Sequence, residues 1–427
     1  FDPIFENPFS TNCYAFPPVE FHETKIKELQ IAAVFISHYH DDHCSLKSLN
    51  LLNRATPIYI FCQHAEMLEM VEQLGFNKVK SIELNQPMQI NEFEIIARRA
   101  LDAEVDSIFH IRVGGINILN VVDSWIDEET MQTLQLTTIW DLILWPFQTM
   151  REIEVLAPSR MTKGDPTVQE LPPEWTAQIE RLKPKVIVPS SCQFKLESWS
   201  WYNQVFFPIT YKKFEKEINR VLPSVKVLRL DPSQSIELSF GEIRKAPAVP
   251  WVRLLTTAIV DYDFDATVEV PKTSEIAKNF PALSAEQRNQ VIDYCRNELM
   301  SRYSSLEELE DDYFVNECFW QLTIFDQTGI ARDFFYQLKG QRISLCLARP
   351  VLISWTSEIS MFKLHRALFY GETLTSLYMR INDLNFENEI EVRLKTADSL
   401  RDPLIRCLFE GVFGAYQRKQ LRDLGLN

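Results

Sequence analysis

One short stretch, Ile36-Ser37-His38-Tyr39-His40-Asp41-Asp42-His43, constrains this chain more than any other feature. It places three of the seven histidines within six positions, in the spacing H-x-H-x-D-H. It follows residues 31–37, a short apolar run that reads as a buried strand. A loop at a strand end turns several side chains toward one point. His38 and His40 alternate toward the same side, and Asp42 and His43 follow at the turn. Two imidazoles make one metal half-site, and a carboxylate with an imidazole begins a second. A polar loop with chance histidines is the bland alternative, and it accounts poorly for such density.

The rest of the first half alternates in texture. Residues 57–62, 79–84, 92–97, 108–113, 116–122, 142–147 and 186–189 read as strands, and 45–52 and 64–74 as helices. Gly114-Gly115 between two strand-like runs signals a hairpin. Sheets covered by helices on the outside fit this order. Ala246-Pro247-Ala248-Val249-Pro250 marks a boundary, which predicts domains at 1–245 and 255–427.

The motif and its setting resemble the metallo-β-lactamase superfamily over roughly the first 240 residues. The resemblance implies an α/β fold, an αββα sandwich, for the first domain. It implies that Asp2 ends an earlier strand, with preceding strands upstream of Phe1 or absent. The lack of an initiator Met points the same way. The superfamily's bridging Asp corresponds to Asp123, which ends an apolar strand where a lone carboxylate is costly to bury; a capped strand end is the other reading. The superfamily's next His is missing. Asp102 stands in its place, with Glu104 and Asp106 nearby, and His110 lies too far along its strand. The last His is missing too, and Ser191 or Cys192 either approaches the metal or packs as a small residue.

Exchanging His for carboxylate hardens the donor set and favours iron or manganese over zinc. In this the chain resembles the di-iron β-hydroxylases of nonribosomal-peptide pathways. Ala33–His43, Pro57-Ile58-Tyr59-Ile60 and Ile118–Asp123 also resemble the CMP-N-acetylneuraminate hydroxylase family, whose Rieske Cys and His pairs have no counterpart here. The resemblances imply an oxygen-activating oxidoreductase, a hydroxylase or monooxygenase, holding two irons. His38, His40 and Asp102 would bind one, Asp42 and His43 the other, with Asp123 bridging. Asp42, Asp102 and Asp123 are the candidate catalytic carboxylates. Molecular oxygen would be co-substrate, a small molecule the substrate, and a ferredoxin or reductase the electron donor. A zinc or manganese hydrolase of a phosphodiester, lactone or amide is the alternative; a degenerate, non-catalytic member is a third reading.

Composition narrows the partners. With 44 basic and 59 acidic residues the net charge is −15, which argues against a nucleic-acid backbone. No apolar run reaches the ~18 residues of a membrane span, and no signal peptide is legible. The eight cysteines form no C-x-x-C pair, which fits a reducing, cytoplasmic setting.

The second half reads as α+β. Ser284-Ala285-Glu286-Gln287 is a capping box. Residues 318–325, 334–338, 343–347 and 351–355 read as an antiparallel meander, 357–369 as a helix, 389–394 as a last strand and 403–424 as a closing helix. The run from Cys318 to Trp355, with the helix ending Tyr370-Gly371-Glu372, resembles a sterol-carrier-protein-like domain. That resemblance implies either an apolar wall over the substrate or a packing module. Trp199, Trp201 and Tyr202 either line the pocket or pack in the core.

Overall fold

The computed structural model describes residues 1–102, 104–137, 139–158, 169–239, 242–308, 313–382 and 398–426. Alternation along two short strands sets the layering. In Val34–Ile36 and Ile58–Ile60, the outer residues Val34, Ile36, Ile58 and Ile60 join Met67, Met70, Val71, Leu46 and Leu49 from two helices. The middle residues Phe35 and Tyr59 face the opposite way, against Ile95, Ala97, Phe109 and Ile111. A period of two thus gives each strand one helix-facing and one sheet-facing side.

With Val79–Ser81 these strands form a parallel three-stranded sheet. Facing it is a seven-stranded sheet in the order Lys226–Val227, Val186–Ser190, Leu142–Pro146, Ile116–Asn120, Ser107–Val113, Phe93–Arg99, Pro87–Ile90. The first four of these strands run parallel and the others pair as antiparallel hairpins. The outer face of this sheet packs Leu119, Ile143 and Ile187 against Trp175 and Ile179 of Pro173–Leu182 and Phe214 and Ile218 of Tyr211–Val221. Helix, sheet, sheet, helix is the αββα order expected from sequence. Gly114 and Gly115 turn the hairpin with φ of +55° and +82°, as a turn needing two positive φ values requires.

The second half is α+β, built on a five-stranded sheet in the order Arg342–Leu345, Ala331–Lys339, Cys318–Phe325, Trp355–Ser360, Arg380–Ile381. The expected antiparallel meander is corrected at one strand. Trp355–Ser360 begins where the expected strand ends and runs parallel to Cys318–Phe325. The following helix starts at Met361, capped by Ser360, whose hydroxyl accepts from Lys363 N–H. The expected closing helix is two, Pro403–Phe409 and Ala415–Asp423, separated by Gly411 and Gly414 at positive φ. The strand expected at 389–394 lies outside the described residues.

Several contacts join the halves, among them a strand pair and a returning helix. Val252–Leu254 pairs with Val19–Phe21. The helix Ala415–Asp423 returns to the first sheet layer, where Leu421 joins the core beside Leu46. No helix among the described residues is long and apolar enough to cross a membrane, and all eight cysteines are free.

Candidate metal centre

The H-x-H-x-D-H loop leaves the buried strand Val34–Ile36 and closes on itself, His43 N–H and Cys44 N–H both donating to His40 O at 3.1 and 2.8 Å. This tight turn brings three imidazoles together, with the His40 and His43 rings 4.5 and 4.0 Å from the His38 ring. The far side of the loop is held by the C-terminal helix: Gln417 donates to Tyr39 O at 2.9 Å and Cys44 O at 3.2 Å, and Gln420 accepts from Leu46 N–H at 2.7 Å.

Asp2 organises the nitrogens. Its Oδ1 accepts from Ser37 N–H at 2.7 Å and its Oδ2 from Ser37 Oγ–H at 2.8 Å. Oδ2 also lies 3.2 Å from His43 Nδ1, and Ser37 Oγ lies 2.9 Å from His38 Nδ1. Nδ1 of each ring carries its hydrogen toward these oxygens, which leaves Nε2 of neutral His38, and Nε2 of His43 once it gives up its second proton, as lone-pair donors facing inward.

Two carboxylates face those rings. Asp123 Oδ2 lies 3.2 Å from His43 Nε2 and its Oδ1 4.0 Å from His38 Nε2. It follows Val122, whose φ of +62° is strained for a β-branched residue and turns the chain at the strand end. The Ser191 hydroxyl donates to Val122 O and so secures that turn. Asp106 Oδ1 lies 3.8 Å from His38 Nδ1. Asp42 Oδ2 is 3.6 Å from His43 Nε2.

Among the described residues potential ligand atoms gather into two overlapping groups, His38–His40–Asp106 and His38–His43–Asp123, each within 4.8 Å. The carboxylate beside His38 and His40 is therefore that of Asp106. Asp102 sits on the exposed turn before it, its Oδ1 accepting from Glu104 N–H at 3.3 Å and its carbonyl from Asp106 N–H at 2.8 Å. Ser107 Oγ–H donates to Ser37 O at 2.8 Å, which ties the strand start directly after Asp106 to the motif loop.

Oδ1 of Asp106 and Oδ1 of Asp123 are buried and accept no hydrogen bond from the described residues. An unsatisfied buried carboxylate oxygen costs on the order of 1–3 kcal/mol or more. The Asp123 oxygen faces His38 Nε2, and Asp106 gathers with His38 and His40, an arrangement a cation would satisfy. The residues present thus fit a metal. Electrostatics agree: burial and the nearby His43 hold His38 well below the usual imidazole range, in the neutral form that ligates. Burial opposes a charged His43, but Asp123, Asp42 and Asp2 hold its pKa well above the usual value. Burial and Asp123 raise the Asp106 carboxyl.

No family model and no curated protein match the chain. Solved structures do. The metallo-β-lactamase fold protein YhfI from Bacillus subtilis is 14% identical, with a TM-score of 0.34 over 48% of this chain and 77% of that one. CmlA, a di-iron β-hydroxylase from Streptomyces venezuelae, is 12% identical, with a TM-score of 0.27 over 37% of this chain and 35% of that one. A possible metal-dependent hydrolase from Veillonella parvula is 12% identical, with a TM-score of 0.37 over 53% of this chain and 86% of that one. The chain thus spans about a third of CmlA's length. Likenesses of this size carry no argument about function, which rests on the site's own residues.

Two further residues reach the same neighbourhood. Glu152 opens the helix Glu152–Leu156; its side chain reaches solvent, while the protein around its carboxyl and the charge of Asp42 raise its pKa. Cys192 has its thiol pushed well up by burial, by Asp123 and by Asp42, so it stays protonated. Sequence carried no signal for Glu152, because nothing local to it resembles a site. Trp201 and Tyr202 are core residues, Tyr202 packing 4.7 Å from the Tyr378 ring. His110 is buried on its strand beside Trp140, and His365 on its helix beside Gln290.

Proposed function

We propose that this chain is an iron-dependent enzyme that activates oxygen and oxidises a small-molecule substrate, with two irons in the complete site. One observation carries the reading: each gathered group joins two imidazoles to one carboxylate. Two imidazoles and a carboxylate with open positions suit non-haem iron, and each carboxylate that stands in for an imidazole moves the preference away from zinc. His38 belongs to both groups and would serve one ion, so His38, His40 and Asp106 would hold one and His43, with Asp123 and the nearby Asp42, the other. Bound iron would supply the redox chemistry that oxygen demands.

The chain's own residues do the rest. Asp2 and Ser37 orient the His43 and His38 rings, so that no reorganisation is needed on loading. Asp106, Asp123 and Asp42 supply the negative charge that stabilises a high oxidation state. Asp102 shapes the turn that presents Asp106. Glu152 stands at the solvent side, where a substrate's donor group would meet a carboxylate. Among the described residues all gathered Cys, His, Asp and Glu groups include His38, so electrons would come from a separate ferredoxin or reductase. Residues 1–245 would be the catalytic unit and 255–427 a second unit, sterol-carrier-like in sequence, that walls the substrate side.

A second reading, a zinc or manganese hydrolase, draws on the three clustered imidazoles, a nitrogen-rich corner that zinc accepts. Oxygen uptake separates the two. Iron-loaded protein with a chemical reductant should consume oxygen faster than the His38→Ala variant and faster than zinc-loaded protein. Equal rates in all three would move the assignment to the hydrolase.

A further inference from the structure

Positive charge gathers in a cavity of about 620 Å³ between helices of the second half. Arg302, Arg418 and Arg422 all line it. None has a carboxylate within ion-pair distance among the described residues. Instead each guanidinium holds backbone oxygens at helix ends. Arg302 donates to Cys407 O at 3.2 Å and to Glu410 O, Arg418 to Phe413 O, and Arg422 to Phe369 O at 3.2 Å. Five N–H donors per guanidinium leave several unused in each. Arg418 and Arg422, one helical turn apart on Ala415–Asp423, present them from the same face. Among the described residues Glu298 is the one carboxylate on the wall, so the lining is net cationic in a chain of net charge −15.

Two independent features mark this wall as built. Tyr294 lines the cavity, is 6% exposed, and its hydroxyl has no hydrogen-bond partner. A buried hydroxyl left so is destabilising, and a ligand acceptor would offset that. Tyr294 also begins a π-helical turn, Tyr294–Glu298, that interrupts the run from Ala285–Asp293 to Leu299–Ser304. The inserted residue brings Tyr294, Asn297 and Glu298 onto the cavity together, and such bulges recur at functional sites. Leu368, Phe369 and Leu408 supply an apolar side.

We infer that this cavity binds a small organic dianion, a phosphoester or a dicarboxylate carried on an apolar body, with the guanidinium groups of Arg418 and Arg422 and the Tyr294 hydroxyl as its recognition groups. The volume falls in the range of small-molecule sites. Guanidinium pairs with carboxylate or phosphate oxygens in planar, two-pronged geometry, and neither ion needs to displace an existing salt bridge. This inference does not depend on the identity of the metal.

The test is calorimetric titration of the full chain at low salt with phenyl phosphate, with phthalate, and with benzyl alcohol as the neutral control. At least one dianion binds and benzyl alcohol does not; binding by phenyl phosphate alone assigns the phosphoester, by phthalate alone the dicarboxylate. Arg418→Gln/Arg422→Gln weakens binding about tenfold or more, and Tyr294→Phe about threefold, as loss of charged and neutral hydrogen bonds implies. Circular dichroism of both variants matches the parent, since Arg418 and Arg422 are exposed. Absence of binding by both dianions at about 5 mM, or unchanged affinity in either variant, overturns the inference.

Discussion

Asp2 Oδ2 lies 3.2 Å from His43 Nδ1, across 41 positions of sequence. The same carboxylate holds Ser37 twice. One residue thereby sets the tautomer of two imidazoles that face the candidate metal centre. Asp2→Asn keeps the shape and tolerates the native φ of +41°, but replaces one acceptor oxygen with a donor. Metal affinity should fall about 10–100-fold, as for other outer-shell partners of metal-bound His, with the far-ultraviolet spectrum unchanged. Competition with a chelator measures it; parental affinity would mean that Asp2 does not orient the rings.

Asp106 and Asp102 separate two accounts of the first half-site. Asp106→Ala should lose bound metal, because its buried, unpartnered oxygen gathers with His38 and His40. Asp102→Ala should retain it, since that carboxylate caps an exposed turn. Metal analysis of the two purified variants reads this directly, and the reverse pattern would return the ligand role to Asp102.

Gly371 closes the helix Met361–Tyr370 at φ +63°, and a Cβ there would lie 2.5 Å from Ala415 C and Tyr416 N. Gly371→Ala should therefore push away the helix whose Gln417 and Gln420 hold the metal loop. A loss of more than about 1 kcal/mol in urea unfolding is expected. Gly425→Ala, at φ +74° with open space around it, should cost less. Equal losses would show that the backbone strain alone acts at Gly371.

Burial lowers the His110 pKa to about 4. The unfolded chain, with an ordinary imidazole near 6.5, then binds more protons than the folded chain between those values. Stability contributed here is complete above about pH 6.5 and is lost as pH falls toward 4, by up to about 3 kcal/mol. His110→Gln should flatten that part of the stability–pH curve relative to the parent; parallel curves would show that His110 titrates normally.

The motif loop and its flanking strands were legible because their signal is local: an apolar run, a polar turn and a period of two. Position along a turn is not local. Asp102 and Asp106 are equivalent in sequence, and only the turn closed by Asp106 N–H on Asp102 O, with Ser107 bound to Ser37 O, decides which carboxylate faces inward. Strand direction was hidden for the same reason. Trp355–Ser360 has ordinary strand composition, and its parallel pairing with Cys318–Phe325 depends on where the preceding loop crosses. Charge that converges only in space, as in the arginine-lined cavity, left no pattern in sequence at all.

The proposed metal centre is an iron site with mixed imidazole and carboxylate ligands. Protein produced in iron-supplemented medium and examined by metal analysis with Mössbauer spectroscopy tests it most directly. About two irons per chain in a coupled ferric pair are expected, with less iron bound after loss of Asp106 or Asp123. Stoichiometric zinc that iron does not displace would contradict it.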